Sequence, residues 1–442
     1  MTAREAAFLS LQKVRGSGRY ANIELSGTLD RYALSDVEKT FYTALFYGVI
    51  EREITLDYLI AQFSDRKPED LDRDVRTILQ IGLYQLVYMD KVPDSAAVNE
   101  SVKLARRFYA RKNSDGFINA VLRSYLRGKD GVVFPDPKKD FIRYLSVTYS
   151  LPEWMCRHFT DAYGKARAEQ IAAQTLSHPT MTLRVNTLRT TRDELMVSLT
   201  EAGVACEKSR APHGIMLKNH VPMEKLAPFD GLFFVQDEAS QLAVEALGAK
   251  PGETVLDCCA CPGGKSFGIA LSMEDRGRVL SYDLHENKLS LIRRTAETLG
   301  LSILEIGVGN ASAYNETIPT VDRLLCDVPC SGLGVIAKKP DIRYKQKEDF
   351  LRLPALQLAI LENASRYVKD GGEIVYSTCT LNPAENTGTV TAFLDRHPEF
   401  ELCPFTAGAL HSDGMTELLP TDRNDGFFIA KLRKKEQNGT ND

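Results

Sequence analysis

No run of about 18 consecutive apolar residues occurs anywhere in the 442-residue chain, so no segment reads as a membrane-spanning helix. The opening MTAREAAFLSLQKV has apolar residues at helical spacing but not the continuous apolar stretch of a secretory leader, so no targeting segment is expected. Cysteine is scarce, with nine in the chain, which excludes a disulfide framework and points to a reducing, cytoplasmic setting. A large excess of one charge is missing too: the net charge is -4, so the overall basic character of many nucleic-acid binders is absent. A nucleic-acid role would have to rest on local patches. What is present is ordinary globular material, 43% hydrophobic and 26% charged, in a chain nearly three times the length of a typical domain. Disordered and collagen-like chains are excluded, and two or three domains are expected.

Residues 1 to about 128 read as helical, because apolar residues recur at three- and four-residue spacing. Ser35-Asp36-Val37-Glu38 forms a capping box, after which Phe41, Ala44, Leu45 and Gly48 share one face. Further helices are expected over 75–88, 96–107 and 117–126. Gly128-Lys129-Asp130-Gly131, followed by Pro135 and Pro137, breaks the pattern and places a boundary near 130–145. The next stretch is mixed, with a strand at 181–185 and a helix at 192–202, and reads as a small α+β region. From about 250, strands at 254–258, 278–282, 304–308, 322–326 and 373–377 alternate with helices such as 287–299 and 356–368, with a late strand at 427–432. That alternation is the signature of a doubly wound α/β sheet. The expected division is 1–140 all-α, 141–236 small α+β, and 237–442 catalytic α/β, with a polar tail after Lys434.

The first strand of the α/β region runs into Asp257-Cys258-Cys259-Ala260-Cys261-Pro262-Gly263-Gly264-Lys265. Ligands of open α/β sheets bind beyond the carboxyl ends of the strands, where glycines let the backbone approach a cofactor. The loop is neither GxxxxGK[ST] nor GxGxxG, so a phosphate cradle is not indicated. Asp283 ends the second strand about twenty positions later, where a carboxylate can accept both ribose hydroxyls of an adenosine-containing cofactor without a pyrophosphate. S-adenosylmethionine is the commonest such ligand. An ordinary turn at the loop and a helix cap at Asp283 are the plainer alternatives.

Two further strand ends carry thiols, Cys326-Asp327-Val328-Pro329-Cys330-Ser331-Gly332 and Ser377-Thr378-Cys379-Thr380, the latter ahead of Asn382-Pro383 and Glu385-Asn386. Cys330 and Cys379 would sit at the ends of neighbouring strands above one pocket, an arrangement for thiol chemistry, whereas a lone cysteine there is more often inert packing. Cys258, Cys259 and Cys261 raise metal binding, but there is no second pair at finger-like spacing and no histidine cluster, so no metal is expected. Cys258 and Cys259 are expected on opposite sides of a strand end.

DCCACPGGK, CDVPCSG and YSTCTLNPAEN are similar to three motifs of the Sun (Fmu) family of RNA cytosine-5 methyltransferases, and VQDEASQL and DGFFIAKL resemble two more. The helical start, with SDVEKTFYTALFYGVIEREITLDYLI, AVNESVKLAR and GFINAVLRSYLR, resembles the NusB-like domain of the bacterial 16S ribosomal RNA members, so the resemblance spans almost the whole chain. It implies a NusB-like bundle, a small α+β middle region and a Rossmann-like class I methyltransferase sheet. The implied reaction is methylation of carbon 5 of a cytosine in small-subunit ribosomal RNA, with S-adenosylmethionine as methyl donor. Carbon 5 is a poor nucleophile, so a thiolate first adds to carbon 6, and carbon 5 then takes the methyl group. A base removes the carbon 5 proton and the thiol is eliminated. By resemblance Cys379 is the nucleophile and Cys330 assists release; DNA cytosine-5 enzymes use the Pro-Cys thiol instead, so the residues alone leave the two assignments open.

The resemblance also implies that Cys259, Ala260, Cys261, Pro262, Gly263, Gly264 and Lys265 line the cofactor, that Asp283 holds the ribose, and that Asn310 meets the adenine. Asp327 would lie between cofactor and base and favour cytosine over uracil by accepting from its exocyclic amine, with Lys265 helping to hold the base. Cys261 and Val328 stand where alanine is usual and would add bulk near the cofactor; Asn310 stands where aspartate is usual. Candidate RNA contacts are Lys338, Lys339, Arg343, Lys345 and Lys347, then Arg184, Arg189 and Arg192, then Lys103, Arg106, Arg107, Arg111 and Lys112. The expected partner is ribosomal RNA with an unpaired or extruded cytosine, acted on by a monomer without membrane or metal. The competing readings are a non-catalytic RNA-binding scaffold and cytosine-5 methylation of another RNA such as tRNA.

Overall fold

The helical N-terminal region starts with α1 (Ala3–Ser17), α2 (Ala21–Arg31) and the long α3 (Asp36–Phe63). The computed structural model describes residues 1–17, 20–109, 114–177, 180–219 and 221–436; Arg111, Lys112 and the tail beyond 436 lie outside them. Ser35 opens α3 with the expected reciprocal capping bonds to Glu38. Leu45 and Gly48 of the expected stripe are inside, but Phe41 is half-buried and Ala44 exposed, and Tyr42, Phe46, Val49 and Ile50 widen the buried face. The helix packs against α1 and three later helices, so apolar surface wraps around it instead of following one line. Those later helices belong to the set α4 (Arg73–Tyr88), α5 (Asp94–Phe108), α6 (Ser114–Gly128), α7 (Phe141–Tyr149) and α8 (Glu153–Gln174), the last interrupted at Gly164. One apolar cluster runs through α1 to α6.

Chain contacts group Met1–Ser177 with Ile336–Lys345 as one compact unit and the remainder as a second. The second unit begins with β1 (Thr182–Val185), α9 (Arg192–Glu201), β2 (Cys206–Lys208), β3 (Gly214–Leu217), α10 (Met223–Leu226) and β4 (Phe233–Val235). These strands form an antiparallel sheet in the order β2-β3-β1-β4, with α9 closing its own small core.

After α11 (Glu238–Leu247) the larger sheet is built from β5 (Thr254–Asp257), β6 (Arg278–Asp283), β7 (Leu304–Val308), β8 (Val321–Asp327) and β9 (Val368–Thr378). Between them lie α12 (Gly264–Ser272), α13 (Glu286–Leu299) and α14 (Leu353–Ser365). The chain ends with α15 (Thr387–Arg396), β10 (Phe400–Leu402), β11 (Phe405–Ala407), β12 (Leu410–Ser412), β13 (Met415–Leu418) and β14 (Phe427–Lys434). The order is β10-β14-β9-β8-β5-β6-β7; β5 to β9 pair in parallel and β14 runs antiparallel beside β9. Helices cover both faces over two apolar layers. Parallel pairing brings the carboxyl ends of β5, β6, β8 and β9 to one edge, and the cysteine-bearing motifs of this region and Asp283 stand at those ends.

Candidate active site

Beyond β5 the chain turns through Cys258 to Gly263 into α12. Gly263 takes φ 106°, a left-handed conformation that favours glycine, and the helix opens directly behind it. The loop is tied to β6: Ala260 N donates to Tyr282 O (2.9 Å), and Cys261 N donates to one carboxylate oxygen of Asp283 (3.0 Å). The other oxygen of Asp283 accepts from His285 N (3.0 Å). Burial, with Asp283 alongside, pushes the Cys261 thiol up to about 12. Cys258 and Cys259 pack against the same apolar layer, contrary to the expected opposite faces, because β5 ends at Asp257 and strand alternation stops there. Val328 also packs into that layer, so its bulk is taken up by the core.

Asn310 follows β7 and lines a small cleft with Cys258, Tyr282, Gly309 and Ala311. Its side-chain oxygen accepts from Ser312 N (3.1 Å) and Ser312 Oγ (2.8 Å), so the group left to meet a ligand is the amide nitrogen, a donor.

Lys265, at the start of α12, reaches Asp327 at the end of β8 (Nζ to Oδ2, 2.7 Å). Ser377 Oγ donates to the other Asp327 oxygen (2.8 Å), and Lys265 Nζ also approaches Ser240 Oγ (3.4 Å). Burial opposes the charge on Lys265, but the adjoining carboxylate outweighs it and the ammonium titrates above its ordinary value. Beneath this pair Asp257 is almost fully buried and accepts from Ser266 Oγ (2.7 Å); burial lifts its carboxyl to about 7.

Cys330 and Cys379 bring their sulfurs to 3.3 Å. The contact with Cys379, then burial, pushes the Cys330 thiol well above its ordinary range. Around them is a buried network. Glu385 accepts from Ser331 N (2.9 Å) and Gln357 Nε2 (2.8 Å) with one oxygen and from Asn382 Nδ2 (2.9 Å) with the other. Gln357 Nε2 also donates to Pro329 O (2.9 Å), and the Ser331 and Thr380 hydroxyls lie 2.5 Å apart. Asn386 binds Thr378 Oγ1 (2.6 Å) and Thr380 O (3.0 Å), which pins the second cysteine loop.

The 16S rRNA methyltransferase RsmB/F family matches residues 244–433, the NusB family residues 1–127, and the RsmF/B-like methyltransferase ferredoxin-like domain residues 151–224. The probable ribosomal RNA small subunit methyltransferase B of Bacillus subtilis (strain 168) is 38% identical, over 98% of this chain and 99% of that protein. The chain belongs to the RsmB/F family of 16S rRNA methyltransferases. The ribosomal RNA small subunit methyltransferase B of Escherichia coli O1:K1 / APEC is 34% identical, over 91% of this chain and 92% of that one. The crystal structure of PH0851 shares the fold, with 25% identity and a TM-score of 0.79 over 98% of this chain and 99% of that chain.

Not every basic residue singled out in this RsmB/F chain is available to RNA. Arg184 is 1% exposed and pairs with Glu245 (2.9 Å), and burial lowers its pKa; it joins β1 to α11 and α12. Arg343 is 4% exposed and donates to Thr175 O (2.8 Å) and Oγ1 (3.0 Å). Both are internal braces, a correction to their place among the RNA contacts. Lys338, Lys339, Lys345, Lys347 and Arg189 are exposed, and Arg192 is half-buried. Lys103 and Arg106 are exposed beside Glu100 and Asp115, and Arg107 pairs with Glu5. Sequence reasoning passed over Gln357, and it quoted Ser377 and Ser240 only within their motifs, without a role. Glu385 was quoted within its motif without a role; its position six residues after Cys379 was the available signal.

Proposed function

We propose that this chain methylates carbon 5 of a cytosine in small-subunit ribosomal RNA through a transient bond between Cys379 and carbon 6 of the base. The observation that carries the reading is the pair of thiols 3.3 Å apart at the carboxyl ends of β8 and β9, beside the Lys265–Asp327 pair. Two cysteines suit a reaction that first adds a thiol and later eliminates it. Membership of the RsmB/F family and the names of the relatives support ribosomal RNA as substrate.

The residues beyond β5 and β6 fit S-adenosylmethionine, which when bound supplies an electrophilic methyl group. The Asp283 carboxylate has acceptor capacity for ribose hydroxyls, and Gly263-Gly264 present bare backbone beside it. The segment from Cys259 to Lys265 would line the cofactor, with Asn310 donating to the adenine ring. Asp327 accepts from the cytosine amine, where uracil would present an oxygen and be refused. Lys265 orients that carboxylate through its 2.7 Å bond and adds a donor toward the base. Cys379 adds to carbon 6 as the thiolate; once carbon 5 has taken the methyl group, a base removes its proton, the electron pair re-forms the 5,6 double bond and Cys379 leaves as the thiolate, with Cys330 assisting that release.

The test is transfer of radiolabelled methyl from S-adenosylmethionine to protein-free 16S rRNA, followed by nucleoside analysis. Labelled 5-methylcytidine is expected. Label in another nucleoside, or none in this RNA, in partial ribosomal particles or in tRNA despite cofactor binding, would overturn the proposal and favour a scaffold role.

A further inference from the structure

Cys330 is held from both sides by groups outside its own strand. The carbonyl before it, Pro329 O, accepts from Gln357 on α14, and the amide after it, Ser331 N, donates to Glu385. Gln357 and Glu385 are bonded to each other, and both are 0% exposed. Glu385 is itself anchored, since Tyr376 OH donates to its backbone carbonyl (2.6 Å) and Asn382 Nδ2 to its second carboxylate oxygen.

Among the described residues no cation pairs with Glu385, so neutral donors alone stabilise a buried carboxylate. That is an unfavourable way to fill a core, where an amide or an apolar side chain would avoid the desolvation cost. A carboxylate does offer two oxygens that accept from three directions with short, charge-assisted bonds. Here the three donors lie on three segments: the loop of Cys330, the loop after Cys379, and α14. The group therefore acts where the two cysteine loops have to be registered against each other, and reactive groups lose rate steeply when displaced by about 1 Å.

We infer that Glu385, together with Gln357, is the positioning residue of Cys330, holding its peptide so that the second thiol serves release of the methylated base. This rests on the two-thiol reading proposed above. Cys379 has ties that bypass the Glu385 carboxylate, because Gly334 N donates to its carbonyl (3.0 Å), Gly426 N in turn holds Gly334 O (2.8 Å), and the Asn386 side chain pins Thr378 and Thr380, so loosening the Glu385 carboxylate disturbs Cys330 more than the nucleophile.

The experiment uses the full chain, protein-free 16S rRNA and labelled S-adenosylmethionine, comparing wild type with Cys330→Ala, Glu385→Gln and Gln357→Leu. Each is assayed for first-turnover methyl transfer, steady-state 5-methylcytidine, and protein migrating with RNA on a denaturing gel. In Glu385→Gln and Gln357→Leu, steady-state turnover should fall about tenfold while first-turnover transfer falls less, and the RNA-bound band should rise toward that of Cys330→Ala. Glu385→Gln keeps an oxygen for Ser331 N and should be the milder variant. Equal loss of first and later turnovers without an RNA-bound band, in protein that still melts cooperatively, would overturn the assignment. If Glu385→Gln does not fold, Gln357→Leu decides by the same readouts. A Cys330→Ala protein that turns over normally and traps nothing would instead remove the two-thiol reading on which the assignment rests.

Discussion

Cys330 Sγ stands 3.3 Å from Cys379 Sγ although 49 residues separate them in the chain. Parallel pairing of β8 with β9 sets Asp327 opposite Ser377, so the residues three and two positions beyond them emerge side by side. Two thiols in contact at the carboxyl edge of the sheet have different expected failures under the proposed reaction. Cys379→Ala should abolish both methyl transfer and any covalent RNA complex. Cys330→Ala should still form the adduct and accumulate it on a denaturing gel. The opposite pattern, trapping in Cys379→Ala, would exchange the two roles.

Asp283 offers a prediction about the cofactor alone. Its carboxylate already orders the loop through Cys261 N, and Asp283→Asn keeps an acceptor for that bond while removing the charge. A hydrogen bond to a charged group contributes about 1.5–3 kcal/mol, so the Kd for S-adenosylmethionine should rise about tenfold or more. Equilibrium dialysis with labelled cofactor, in the absence of RNA, measures it. An unchanged Kd would remove Asp283 from the binding set.

Much of this architecture is legible in the amino-acid order alone. The capping box at Ser35–Glu38 depends on four neighbouring residues, and β7 falls at the expected Leu304–Val308, because short-range pattern decides both. The motif loops were legible for the same reason. What escaped depends on distant partners. Arg184 and Arg343 read as surface charge because nothing local reveals that Glu245, 61 positions away, or Thr175, 168 positions away, will cover them. Gln357 likewise gains its meaning only when β8 and β9 bring the loops around Pro329 and Glu385 to α14.

Asp257 predicts a pH dependence of stability. Burial raises its carboxyl from 3.8 to about 7 in the folded protein, so between those values the folded state binds more protons than the unfolded state. Its contribution to stability therefore declines as pH rises through that window and is constant above it. Asp257→Asn removes the titration. The melting temperature of the variant relative to wild type should climb between about pH 4 and 7 and level off by about pH 8, by an amount equivalent to a few kcal/mol at most. A difference that does not change with pH would show that Asp257 titrates normally.

Gly334 and Gly426 test how closely the site's backbone has to approach itself. Gly426 N donates to Gly334 O (2.8 Å), and Gly334 N donates to Cys379 O (3.0 Å), so three segments meet behind the Cys379 peptide. A methyl group on Gly334 would overlap the carbonyl of Gly426, and one on Gly426 would lie 2.7 Å from Gly334 Cα, in both cases against backbone that cannot rotate away. Gly334→Ala should destabilise by about 1–3 kcal/mol, the usual range for overpacking, seen as a lower urea midpoint. Because the displaced group hydrogen-bonds Cys379, methyl transfer under fully folding conditions should fall further than the loss of folded protein accounts for. A variant equally destabilised by Leu59→Ala, in the helical unit's core, provides the control: its activity per folded molecule should stay near wild type. Equal specific activities in the two variants would mean that the Gly334–Gly426 contact serves the fold and not the thiol.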